Sequence, residues 1–227
     1  MRILLRLLIP LVLAGMPLSA ASKPHVITFG KWTTVETLTG PEEVQKLHLK
    51  VRPLYVDGKL KEFTEGTPHE ITERLFVVQR MIRVNDSLPS DTGATPQWVW
   101  QLGGWIIVDR GSGHVAAANL PKFEPELSLA SWYRDYAAYC GISADGKKIY
   151  ATVVQLGRRK PILDKPLDET VDDSSNPACA SPSWQRHPPR VTFRSQDDQK
   201  LSFAVRRHAV EVTNEVTNDD EDENGTE

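Results

Sequence analysis

Beyond residue 21 this chain of 227 residues consists almost wholly of short β-prone runs cut by turn residues, which confines it to antiparallel sheets. Leu54-Tyr-Val-Asp57-Gly58-Lys-Leu60 is a hairpin pattern, because Asp-Gly tolerates the positive φ angles of a type I′ turn. Asp145-Gly146 repeats the signal between a strand from about Tyr136 to Ser143 and a strand from Ile149 to Leu156. Arg74 to Val84 predicts one long strand, or two around a bend. Gln97 to Leu102 alternates, with Trp98, Trp100 and Leu102 on one face and Gln97, Val99 and Gln101 on the other. Gly103-Gly104 predicts a break before Trp105 to Asp109. Arg110 to Gly113 then turns the chain into His114 to Ala118, completing a three-stranded meander. Arg190 to Phe193, a turn at Ser195 to Asp198, and Leu201 to Val205 form a last hairpin, with Val210 to Val216 as an added edge strand.

One stretch reads two ways. Leu129, Trp132, Tyr133, Tyr136, Ala137 and Cys140 fall on a helical stripe, which predicts a short helical turn at 127–133 ahead of the strand. The fold expected is therefore mainly β: antiparallel sheets in a sandwich-like or open-barrel arrangement with at most one short helix. A propeller-like arrangement is the alternative. Its turn markers at Asp57, Asp109, Asp145 and Asp197 are separated by 52, 36 and 52 residues, too uneven for a regular blade repeat.

Met1 to Ala21 has the layout of a secretory signal peptide: Arg2 and Arg6, an apolar run from Leu7 to Leu13, then small residues. The run is too short to span a membrane, which takes roughly 20 apolar residues. Cleavage after Ala21 puts Ser19 and Ala21 at the two decisive positions, and no Cys follows to carry a lipid. The expected layout is a signal peptide at 1–21, a single β-rich domain at 22–214 and an acidic tail at 215–227. The tail carries seven acidic residues and no basic one. Too charged to bury surface, it is expected to be disordered. The body at 22–214 keeps 25 basic residues against 23 acidic, a net of +2, which offers no footprint for nucleic acid. The expected location is the periplasm or the exterior.

In that compartment Cys140 and Cys179 are expected to pair. They lack the paired spacing of a zinc site. Leu163 to Ala178 reads as a poor structure former that the bridge would pin to the core.

No nucleophile elbow, zinc-protease helix, phosphate loop or dinucleotide fingerprint is present, so no catalytic residue, metal ligand or cofactor is assigned. Two constellations are candidates for binding. In Trp132-Tyr133-Arg134-Asp135-Tyr136, Arg beside Asp would hold a carboxylate or a sugar between stacking rings, or the rings simply pack the core. Trp98 and Trp100 form a sugar-stacking platform if exposed and core if buried. The basic turn Gly157-Arg158-Arg159-Lys160-Pro161 is either a solvated loop or a contact for an anionic surface.

The words Lys31-Trp-Thr-Thr-Val35, Ser131 to Gly141 and Leu156 to Pro161 resemble a family of secreted bacterial proteins with no assigned activity. The resemblance runs from about His25 to Val212 and carries no site across. It implies that the formal glycosylation sequons at Asn85 and Asn224 are silent. The function expected is non-enzymatic binding or an envelope-associated role, with a glycan or a protein as partner. The alternative is a glycan-active hydrolase using Asp135 with Asp109 or Asp145 as its second carboxylate.

Overall fold

The computed structural model of the protein describes residues 24–39, 45–87, 95–170, 178–194, 200–206 and 209–212. The expected signal peptide, the expected turn at Ser195 to Asp198 and the acidic stretch at 215–227 lie outside them. The described residues form strands, turns and loops, with no helix among them, and every ladder is antiparallel. No sheet closes into a barrel, and the arrangement is sandwich-like, without propeller blades.

The first sheet comprises β1 (Ile27–Phe29), β2 (Thr33–Thr39), β3 (Gln45–Val56), β4 (Lys59–Glu70), β5 (Leu75–Asn85), β6 (Trp98–Asp109) and β7 (Val115–Ala117). Its order is β1-β3-β4-β5-β6-β7, with β2 sharing the β1 edge of β3. The second comprises β8 (Ser131–Tyr133), β9 (Tyr136–Ile142), β10 (Lys148–Gln155) and β11 (Leu163–Thr170), in the order β11-β10-β9-β8. The third runs in chain order through β12 (Ser183–Arg186), β13 (Pro189–Arg194), β14 (Lys200–Arg206) and β15 (Ala209–Val212).

The two Asp-Gly pairs do different work. Asp57 and Gly58 both have positive φ, 52° and 74°, as a two-residue type I′ hairpin requires. The Asp57 carboxylate also accepts the Val26 N–H at 2.9 Å, which ties the approach to β1 onto this turn. At Asp145-Gly146 only the glycine is positive, at 71°. The loop there is longer, closed by Ser143 N–H to the Lys148 carbonyl at 2.9 Å.

Three expectations are corrected. Gly103-Gly104 do not break the strand: β6 runs through them as a bulge, where Arg80 faces both glycines between the pairs Gln79↔Trp105 and Met81↔Leu102. A Cβ on Gly103 would lie 3.0 Å from the Arg80 carbonyl oxygen, so the close approach needs glycine. Residues 127–133 hold no helical turn. A single turn closes at 124–128, with Ser128 N–H to the Glu124 carbonyl, and Ser131–Tyr133 then pairs with β9 as β8. The helical stripe was coincidental, because the aromatic residues serve two faces of a hairpin. Finally, Leu163–Thr170 is a strand. β11 lies at the sheet edge, where Pro166 has no second ladder to supply with an N–H.

The second and third sheets pack face to face. Their shared core holds Cys140, Ile149 and Val153 from one side and Val191, Phe193, Phe203 and Val205 from the other. Each large side chain buried there contributes roughly 1.5–3 kcal/mol. The Cys140–Cys179 disulfide joins β9 to the lead-in of β12, across the same layer. The opposite face of the second sheet, with Ala137, Tyr139 and Val154, is covered by Leu120, Phe123 and Ala130 of the β7–β8 connection. Tyr139 donates its hydroxyl to the Pro121 carbonyl at 2.6 Å, fixing that cover. The first sheet has a core of its own around Leu54, Phe76, Val78, Ile106 and Val108.

Candidate functional site

The first and second sheets meet along a seam of aromatic rings. Trp132 of β8 packs between Trp105 of β6, at 5.2 Å, and His69 of β4, stacked at 5.9 Å. His69 Nε2 donates to the Arg134 carbonyl at 2.8 Å, so this nitrogen carries the proton: a carbonyl can only accept. Behind Trp132 the hairpin is held by Trp184 of β12, whose indole N–H donates to the Ser131 carbonyl at 3.1 Å. The Trp184 ring also lies 5.5 Å from Tyr133. The indole nitrogens of Trp105 and Trp132 are buried without an acceptor among the described residues. Each unmet donor costs about 1–3 kcal/mol, so the two tryptophans hold the seam by ring packing, beside the His69 hydrogen bond.

Beside the rings lies a cavity of about 750 Å³. The β4–β5 turn supplies Ile71 and Thr72, the start of β5 supplies Leu75, and β6 supplies Ile107. The opposite wall is the β8–β9 turn, Arg134 and Asp135, together with Leu156 and Gly157 at the end of β10. Thr72 shapes its side by accepting the Leu75 N–H on its hydroxyl at 3.0 Å. The other wall is locked by Leu156 N–H to the Asp135 carbonyl at 2.9 Å and by Gln155 Nε2 to Asp135 Oδ2 at 2.8 Å.

Tyr133 pairs directly with Tyr136, which leaves Arg134 and Asp135 as a two-residue hairpin loop. Arg134 has φ of 53°, while Asp135 is not in the positive region. Positive φ at the first loop position alone is the type II′ pattern, a place normally given to glycine. An arginine there carries about 1–3 kcal/mol of backbone strain, which the surroundings must sustain. The His69 contact to its carbonyl is one such restraint. The guanidinium is exposed, 5.4 Å from the Tyr133 ring, with no hydrogen bond or ion pair among the described residues.

The structure therefore splits the expected pentad. Trp132, Tyr133 and Tyr136 are half-buried packing rings, whereas Arg134 and Asp135 face the cavity. Trp98 and Trp100 are elsewhere, on the part of β6 beyond the glycine bulge. Trp100 packs edge-on against Phe63 at 5.0 Å, and Trp98 stays 52% exposed with Arg83 5.3 Å from its ring. The two constellations do not share a site. Asp109 and Asp145 do not line the cavity. Asp109 is engaged by Arg74 through two hydrogen bonds of 2.6 Å, and Asp145 is bonded to Ser143 and the Lys147 N–H.

Sequence reasoning missed Ile71, Leu75, Ile107 and Leu156, because an apolar residue looks the same in sequence whether it faces core or cavity. Among the described residues no group of three or more His, Cys, Asp or Glu is placed to hold a metal ion. No helix among them is long and apolar enough to cross a membrane. Comparison with known proteins finds no matching family model, no similar curated protein and no similar solved structure.

Proposed function

We propose that this is an exported, non-enzymatic binding protein whose ligand sits in the cavity between the first and second sheets. The observation that carries the reading is the strained Arg134-Asp135 turn at an apolar cavity of about 750 Å³. That volume is in the range of small-ligand sites, which combine apolar walls with a few convergent polar groups. Strained backbone that persists tends to sit where it positions a functional group. Binding is preferred to glycan hydrolysis because a glycosidase needs two carboxylates flanking the bond, and the described lining residues contribute Asp135 alone. Export is supported by the N-terminal pattern and by a disulfide compatible with an oxidising compartment.

The test uses Nile red, a neutral dye that brightens in apolar surroundings. The mature protein should bind one dye with saturation, and Ile107→Trp, which fills the cavity, should abolish the signal while the far-UV spectrum stays unchanged. Undiminished dye binding by a folded Ile107→Trp protein would place the apolar site elsewhere and sink the proposal.

A further inference from the structure

We infer that the ligand of this cavity is an anionic amphiphile: one apolar chain ending in a carboxylate or comparable anion. This rests on the binding reading above and adds the chemical class. The walls formed by Ile71, Leu75, Ile107 and Leu156 offer an apolar chain no hydrogen-bonding side chain to satisfy. The mouth is different. The tertiary structure sets the Arg134 turn against the end of β10, through the Leu156 N–H to Asp135 carbonyl bond. The chain continues from there as Gly157-Arg158-Arg159-Lys160, all exposed. Arg134 thus lines the cavity beside Asp135, and the basic turn follows directly from Gly157 of the same lining. One Asp135 oxygen is already engaged by Gln155.

A cation on the lining of an apolar cavity raises the local concentration of anions there. The Arg134 guanidinium presents the planar fork that matches a carboxylate, and it has no acidic partner among the described residues. A neutral sugar would leave that charge unused, and a cation would be repelled.

Titration calorimetry on the full mature, disulfide-bonded protein separates the possibilities. The probes are monomeric dodecanoate, dodecyl maltoside and dodecyltrimethylammonium, each below its micelle concentration. Dodecanoate should bind at one site, tightening about three- to four-fold for each added CH₂ until the cavity is full. Arg134→Gln should weaken it about ten-fold or more while leaving dodecyl maltoside unchanged. If that variant fails to fold, the Arg159→Gln, Lys160→Gln pair should still weaken dodecanoate and flatten its salt dependence. Equal affinity for the neutral and anionic probes, with Arg134→Gln silent, would overturn the anion assignment yet keep the binding cavity. Failure of all three probes, together with dye binding unaffected by Ile107→Trp, would overturn both. Co-sedimentation with phosphatidylglycerol vesicles without binding of monomeric dodecanoate would replace a captured amphiphile by a membrane surface.

Discussion

Breaking the Cys140–Cys179 bridge should be the most costly small change this protein can suffer. The two Cα atoms are 6.2 Å apart and the sulfurs are buried, with 39 residues of sequence separation. Loop-closure entropy for a ring of that size is worth about 4 kcal/mol at 25 °C. Reduction of the wild type leaves both sulfur atoms in place, so it isolates the cross-link. The Cys140→Ala, Cys179→Ala double variant removes them as well and should lose about 1 kcal/mol more per site, as for deletion of a buried methylene. With a urea slope of about 2 kcal/mol/M, the midpoint followed by tryptophan fluorescence should fall by about 2 M on reduction and somewhat further in the double variant. Because Cys179 leads into β12, hydrogen exchange should quicken more in β12–β14 than in β5 and β6. Reduced and oxidised midpoints within about 0.3 M of each other would refute the reasoning, since the ring would then not be restricting the unfolded chain.

Three further outcomes follow from packing and charge. Gly141→Ala would place a Cβ 2.8 Å from Thr152 Oγ1 and 3.0 Å from Lys122 Cβ, so the β7–β8 connection must lift. A loss of about 1–3 kcal/mol in thermal unfolding is expected, and an unchanged melting temperature would show that the cover yields freely. Thr152→Val should instead stabilise by about 1 kcal/mol, because the hydroxyl is fully buried with no partner among the described residues and valine keeps its shape. Destabilisation in the same assay would mean that the hydroxyl is satisfied. The Arg74 guanidinium holds the Asp109 carboxyl well below its ordinary range, helped by the Gly111 and Ser112 N–H groups. A carboxyl depressed on folding adds stability that is full above its unfolded value, about 3.9, and is lost as pH falls toward the folded value. Asp109→Asn should therefore be less stable than wild type at pH 7, with the gap closing below about pH 4 in urea titrations. A gap that does not vary with pH would sink this assignment.

Much of the fold was legible along the chain. Asp57-Gly58 specified its own hairpin, since the positive φ angles it tolerates are a property of two adjacent residues. The start of β6 showed in the alternation of Gln97 to Leu102, and the oxidising compartment expected from the N-terminal pattern made the disulfide pairing readable from two cysteines. Local rules failed where a partner strand decided the outcome. Gly103-Gly104 look like a terminator, but Arg80 across the ladder turns them into a bulge. Leu163–Thr170 looks like loop until β10 offers it an edge. The aromatic pentad looked like one unit, and hairpin geometry sent its rings into packing and its charged pair to the cavity.

By itself, then, the sequence determined an all-β chain, the positions of most turns and the residues of the cross-link, because each depends on neighbours within a few residues or on one chemical type. Only the tertiary structure decided that Arg134, Ile107, Leu75 and Gly157 line one cavity. Their meeting depends on how two sheets pack across a tryptophan seam, and the free energy of that packing comes from contacts between residues far apart in the chain, which no local pattern records.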